Sequence, residues 1–387
     1  MDAQATNGLL RHFREIPDRR GDNVSHSLAD IISIAILAVL CGVEGWAGVE
    51  AWALTHAEWL KTLLDLPNGI PSHDTFGRVF AKLDPLAFEK CFQRWTKHLC
   101  QGSSGLFVPV DGKTVRRSWK KAWSKTPVHL VSAFVAQNRL ILGQLATNCK
   151  SNEITAIPKL LAMLDLAGST VTIDAMGCQR NIVSTILGKG AHYILAVKDN
   201  QPTLFLEVRL LMNEGIREGF KGKVHGYWEE TERGHGRIET RRVWVTTDVK
   251  LLGQDLLDLW PGLASLVVVE SIRRGVREPK SKATYERRYY ISDHAHTDAQ
   301  FFAQGIRNHW TVESMHWSLD VSMNEDQCRV RKGKGAENLS RLRRIAMNQL
   351  KGWQPKKPNG KPLKVGLKIK QQMCAGNPNF LMEAILA

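Results

Sequence analysis

The sequence contains no CxxC pair. Its seven cysteines, an odd number, stand apart at 41, 91, 100, 149, 178, 328 and 374. That spacing excludes a cysteine zinc module and argues against a disulfide framework, so reduced thiols in a cytosolic compartment fit best. Long apolar runs are missing too. The longest, Ile31 to Val43, holds thirteen residues, short of the roughly 20 that span a bilayer, and reads as a buried helix. The N-terminus, MDAQATNGLLRHF, lacks the apolar h-region of a secretory signal. There is no internal repeat. Acids are nearly absent from one stretch. Between Gln327 and Gln371 fourteen lysines or arginines face a single acid, Glu337, which puts +13 of the formal net charge of +15 there. Charge so concentrated points to a polyanionic partner and favours nucleic acid, although a ribosome-like or membrane-surface role leaves the same mark.

What is present organises the 387 residues into three parts. Residues 1–100 carry apolar positions at helical spacing through 28–43, 47–64 and 85–99, separated by CGVEGW and LPNGIPSHDTF. Ser72 or Asp74 is placed to cap the helix TFGRVFAKL, which bears Arg78 and Lys82. A short helix, a tight turn and a capped helix resemble a helix-turn-helix, and an ordinary helical bundle fits the same residues. From 104 to 212 strands and helices alternate. A strand at 107–110 is followed by a basic loop, then by strands 128–136 and 139–147 joined at Gln137-Asn138. Helix 153–167, strand 171–173, helix 179–188 and strand 192–197 follow. Three strands able to pair antiparallel and then β/α alternation describe a mixed sheet, not a Rossmann fold. Residues 213–290 read as a β-rich insertion with strands at 237–247, 264–274 and 283–293. Helix returns at 298–323, and residues 351–387 form a basic tail whose segment 354–364 is expected to be extended or disordered.

Three acids occupy unusual settings. Asp111 in FVPVDGKT and Asp174 in VTIDAMGCQ each follow a short β-branched run, so each is expected at a strand end, on a sheet edge where α/β proteins place ligand sites. Either alone could be a turn residue or a helix cap. As a pair, with Glu313 from a later helix, they suggest oxygen ligands for Mg²⁺ or Mn²⁺. On that helix His309, Glu313, His316 and Asp320 form one stripe at i, i+4, i+7 and i+11. This is not the HExxH zinc spacing. A solvated polar face, with Trp310 and Trp317 packing inward, is the plainer alternative, and Asp320, Glu325 and Asp326 compete with Glu313 for the third ligand.

Basic segments interleaved with aromatics form a second set. KTVRRSWKKAWSK follows Asp111 with Lys113, Arg116, Arg117, Lys120 and Lys121 among its six cations. GHGRIETRRVW puts Arg237 and Arg241 on one strand face with Glu239, and the basic stretch near the C-terminus holds Arg341, Arg343 and Arg344. Arginine clamps phosphate, and an aromatic stacks on an unpaired base. All of these are candidate DNA contacts; solvated loops and strands are the plainer reading.

The strings DGKTVRRS, KSNEITAIP, IDAMGCQ, YILAVKDNQ, GHGRIETRR, HWTVESMHWSLDVSMNED and ENLSRLRRIAMN resemble the H-repeat-associated insertion-sequence transposases of the DDE superfamily. IPDRR, HSLADIISIAILAVLCGVEGW and LPNGIPSHDTFGRVF resemble that family's helical leader. The resemblance implies an α/β fold with an RNase H-like core (104–350), interrupted by the β-rich insertion and preceded by an all-helical domain. It implies Asp111, Asp174 and Glu313 as catalytic residues and ligands of two Mg²⁺ (or Mn²⁺) ions. It implies strand cleavage at transposon ends and strand transfer to double-stranded target DNA by a dimer, in the cytoplasm with the nucleoid, with no membrane and no nucleotide cofactor. One departure stands out. A related group carries Tyr-x2-Arg-x3-Glu-x6-Lys around its catalytic Glu, where this chain has Ile306, His309 and Asp320. Arg307 is the candidate to replace that arginine. A metal nuclease without strand transfer shares the same site, and a repurposed DNA-binding copy is the third reading.

Overall fold

The computed structural model describes residues 9–21, 24–100, 102, 104–119, 126–147, 153–234, 236–275 and 283–387. The first part is helical: α1 (Arg11–Arg14), α2 (Leu28–Leu40), α3 (Gly45–Thr55), α4 (Ala57–Leu60), α5 (His73–Lys82) and α6 (Pro85–Cys100). Then come β1 (Phe107–Thr114), β2 (His129–Val135), β3 (Leu140–Thr147), α7 (Glu153–Met163), β4 (Thr170–Ile173), α8 (Arg180–Gly188), β5 (His192–Val197) and α9 (Pro202–Glu218). β6 (His225–Gly234), β7 (Arg237–Thr246), α10 (Gln254–Leu259), β8 (Ser265–Gly275) and β9 (Thr284–Ser292) follow. The chain closes with α11 (Ala299–His309), α12 (Thr311–Val321), α13 (Gly335–Gly352), α14 (Leu367–Gly376) and α15 (Pro378–Leu386).

One mixed sheet of nine strands, in the order β3-β2-β1-β4-β5-β9-β8-β7-β6, runs through the molecule. β1, β2 and β3 pair antiparallel, and β4 and β5 run parallel to β1. Helices α7 and α8 cover one face through Ile157, Leu160, Ile182 and Ile186, and α11 covers the other through Phe302 and Ile306. The β-rich stretch is no separate layer. β9 pairs antiparallel with β5, so β6–β9 extend the same sheet. Sequence reading missed α9 and β6; β6, HGYWEETERG, alternates in exposure along its length but carries little apolar signal.

Ser72 caps α5, its side chain accepting from the Thr75 N–H. α2 is apolar on every side and is buried almost throughout. Its partner is α13, buried from Gly335 to Leu350 although it contains Glu337, Arg341, Arg343 and Arg344. One hydrophobic cluster joins α1–α6, α12, α13, α14 and α15. The helical leader therefore shares its core with the C-terminal helices.

The segment 354–364 is extended around a turn, and the helices beyond it are what sequence reading missed. Residues 355–363 close a turn through backbone bonds from Leu363 to Pro355 and from Lys357 to Lys361. Beyond it Leu381, Ala384 and Ile385 are buried and the Lys370 ammonium donates to the Leu350 and Trp353 carbonyls. The lysine-rich composition concealed enough apolar residues to dock two helices. Among the described residues no single helix is long and apolar enough to cross a membrane.

Candidate active site

β1 and β4 are register partners from Phe107↔Thr170 to Val110↔Ile173. The next position along each chain is an aspartate, Asp111 and Asp174. In-register neighbours on parallel strands lie about 4.8 Å apart with side chains on one face, which brings the two acids together. Asp111 is not a strand end as expected: β1 continues to Thr114, paired only with β2. Asp174 both caps and stays available. One oxygen, Oδ1, accepts from the Met176 and Gly177 N–H groups at 3.1 and 3.4 Å.

The helix expected over 298–323 is two. α11 ends at His309, Trp310 forms the junction, and α12 begins at Thr311. Of the polar stripe, His309, His316 and Asp320 are half-buried and Glu313 is exposed. His309 sits against Thr172 Oγ1 at 3.2 Å, His316 Nδ1 lies 3.7 Å from Asp111 Oδ2, and Asp320 Oδ1 lies 2.7 Å from the Lys113 ammonium. Trp310 and Trp317, which the plainer alternative packed inward, are 44% and 61% exposed. Glu313, in the first turn of α12, lines a cleft of about 480 Å³ together with Asp111, Asp174, Lys198, Arg288, His309 and Trp310. Arg288 stacks over the Trp310 ring at 4.8 Å.

Electrostatics show what the cleft wants. Burial, and then the charges of Asp174, Glu153 and Glu313, push the Asp111 carboxyl up to about 6, against a Gly112 backbone donor that favours the anion. His316 is pushed down to about 3, first by burial and then by Arg344 and Lys113, so it is neutral at pH 7. Burial lowers His309 as well. Among the described residues no lysine or arginine lies within ion-pair distance of Asp111, Asp174 or Glu313; the one such contact is His316. Lys113, the nearest cation along β1, is taken by Asp320, Glu325 and Asp326. Crowded carboxylates that pair with no lysine or arginine among the described residues are an oxygen donor set suited to a hard divalent ion.

The expected DNA contacts divide. Lys113, Arg341, Arg343 and Arg344 are buried and are corrected to packing roles. Arg341 Nε donates to Glu89 at 2.6 Å, Arg344 pairs with Glu325 at 3.0 Å and Arg343 donates to the Met323 carbonyl. Composition could not separate these arginines from the exposed ones, because an arginine with a buried acid partner costs the helix no apolar pattern. Arg116 and Arg117 are exposed, and Arg116 reaches Asp326. Arg237 and Arg241 pair with Glu239, and both Arg241 and Arg307 pair with Glu232. Lys120 and Lys121 lie outside the described residues. Sequence reasoning missed Glu153, which meets His129 behind Gly112. A Cβ on Gly112 would sit 2.3 Å from that carboxylate.

Comparison with known proteins gives the family. A family model described as "Transposase DDE domain" matches residues 102–349, and a "DDE_Tnp_1-associated" model matches 10–96. The chain is 40% identical over 387 residues to "H repeat-associated putative transposase YhhI" of Escherichia coli strain K12, covering 97% of each. It is 40% identical over 379 residues to "Putative transposase YncI" of Escherichia coli O157:H7, covering 97% of this chain and 94% of the relative. Among solved structures, a piggyBac transposase synaptic complex with hairpin DNA aligns over 99% of this chain and 78% of that chain. Its TM-score of 0.39 and 10% identity are too low to bear on the fold.

Proposed function

The chain belongs to the DDE transposase family, beside the H repeat-associated members, and from that premise we propose that it cleaves DNA at insertion-sequence ends and joins them to target DNA. The observation that carries this is the convergence of Asp111, Asp174 and Glu313 on one cleft with no lysine or arginine paired to them among the described residues. The family implies a divalent metal, and the donor set fits it. When bound, two Mg²⁺ (or Mn²⁺) ions, held by Asp111 and Asp174 with Glu313 completing one site, supply the Lewis acid for phosphodiester cleavage and transfer. The protein's own part is positional. The β1–β4 register fixes the aspartates, His309 on Thr172 fixes the end of α11, and Lys113 fixes α12 through Asp320. Lys198 and Arg288 line the cleft with charge for a phosphate.

The strand order 3-2-1-4-5, antiparallel through the first three and parallel thereafter, supports reading residues 104–350 as an RNase H-like core. Double-stranded DNA is the partner, and pairing two ends calls for a dimer. A cytoplasmic, nucleoid-associated location follows from that substrate. Arg78 and Lys82, exposed on α5, are proposed to approach end DNA, with Arg116, Arg117 and Arg307 nearer the cleft.

The test is incubation of the purified chain with labelled element-end DNA, a supercoiled target and Mg²⁺ or Mn²⁺. Cleaved ends and joined products are expected. Cleavage without joining would make the protein a nuclease, and no cleavage in either ion would overturn the enzymatic reading.

A further inference from the structure

A second cluster of ligating side chains lies at the opposite end of β4 from Asp174, where β5 begins and β9 ends. Ile194 pairs with Ser292 across β5 and β9. Continuing that register two residues sets His192 opposite His294, and their rings stack at 4.4 Å. Between them Asp293 accepts from the Tyr193 N–H through Oδ1 and from His192 Nδ1 through Oδ2, both at 2.7 Å. His294 Nε2 lies 2.9 Å from Thr170 Oγ1. That contact orients the ring and leaves Nδ1 as its free nitrogen. One ligand atom from each of His192, Asp293 and His294 lies within 4.8 Å of the other two. Phe301 stands edge-on to His294 at 4.8 Å and the His296 ring lies 5.3 Å from that of His294, giving the cluster an aromatic wall.

We propose that His192, Asp293 and His294 bind one zinc ion with water as a fourth ligand, a site separate from the acidic trio and independent of the reaction assigned to it. Two imidazoles and one carboxylate suit Zn²⁺, where the trio, all oxygen, suits Mg²⁺. Zinc–ligand bonds of about 2.0–2.2 Å ask for donor separations of roughly 3.3 Å, so His192 Nδ1 and Asp293 Oδ2 open from 2.7 Å while His294 closes on them, changes within the reach of side-chain rotation. The ion takes the place of the proton shared between His192 Nδ1 and Asp293 Oδ2, and that proton moves to His192 Nε2. Its role is structural. Four residues after His294, Asp298 caps α11 by accepting from the Phe301 N–H, and the other end of α11 is His309 at the catalytic cleft. Eleven helical residues reach about 16 Å, so an ion at the start of α11 seats the helix that leads into Glu313.

The full chain carrying Asp111→Asn, Asp174→Asn and Glu313→Gln, stripped with chelator, is titrated with ZnCl₂ by calorimetry and with Co²⁺ by visible absorption. One equivalent of Zn²⁺ and the visible bands of four-coordinate Co²⁺ are expected. Adding His192→Gln or His294→Gln should weaken binding by at least about tenfold. No bound equivalent in the acid-neutralised parent, or unchanged affinity after either histidine substitution, overturns the site. Should a histidine variant fail to fold by circular dichroism, the parent's Co²⁺ spectrum decides, because absent bands overturn the proposal alone. The acids are neutral throughout, so failure of the transposase reading leaves this result untouched.

Discussion

Asp111 and Asp174 stand side by side because Val110 and Ile173, the residues before them, are the last register partners of two parallel strands. A slip of one residue would turn one carboxylate to the other face of the sheet. The pair is set by backbone hydrogen bonds, and substitution of either side chain should leave the fold intact. Asp111→Asn and Asp174→Asn are each expected to abolish cleavage of end DNA while retaining DNA binding. Cleavage assays beside gel-shift titrations check this; Mg²⁺-dependent cleavage by either variant counts against the assignment.

Glu313 and Asp320 differ in what they touch. Glu313 faces the cleft, whereas Asp320 holds the Lys113 ammonium at 2.7 Å. Glu313→Gln should eliminate cleavage in both Mg²⁺ and Mn²⁺. Asp320→Asn should retain part of it, because Glu325 and Asp326 still hold Lys113. The reverse pattern would move the third ligand one helical stretch further on.

The raised Asp111 gives a pH signature in metal-free protein. The folded state holds this proton up to about pH 6, while an unfolded aspartate releases it near 3.8. Between those values the native state binds the extra proton, so stability falls as pH rises through the window and levels off above 6. The full effect is on the order of 3 kcal/mol. Asp111→Asn should flatten this slope in thermal melts with chelator. Mg²⁺ should raise the melting temperature of the parent more at pH 7.5 than at pH 5; equal shifts would contradict the crowding of acids.

The buried and exposed cations should separate cleanly. Arg344→Met leaves Glu325 buried without its arginine and should cost about 3–5 kcal/mol in urea unfolding, with little change in the salt dependence of DNA binding. Neutralising the exposed Lys356, Lys357, Lys361 and Lys364 to Gln should do the opposite. Stability is retained, and the slope of log K against log salt flattens by about 0.9 for each lost phosphate contact. An unchanged slope would place those lysines away from DNA.

Gly112→Ala tests the packing behind Asp111. Its Cβ would meet Glu153 and His129 at 2.3–2.5 Å, so the strand or the buried Glu–His pair must shift. A loss of about 1–3 kcal/mol in stability is expected, with reduced cleavage. Glu153→Ala in the same chain should restore much of the stability, and failure to do so would mean that the clash lies elsewhere.

Local pattern marked every strand but β6 and most of the longer helices. β-branched runs marked β1, β4 and β5, Ser72 marked the start of α5, and the Asp-Gly and Asp-Ala contexts marked both aspartates. These signals are read from neighbours a few residues apart. The tertiary structure decided which arginines face water. Arg341 and Arg344 lie among residues indistinguishable by composition from an exposed basic stripe, and only Glu89 and Glu325, distant in sequence, bury them. It also decided which face of α12 turns inward. Val312, Met315 and Leu319 take the buried face in place of Trp310 and Trp317, and His316 and Asp320 beside them lie half-buried over Asp111 and Lys113. Burial of charge depends on partners brought together by folding, and a single sequence does not display them.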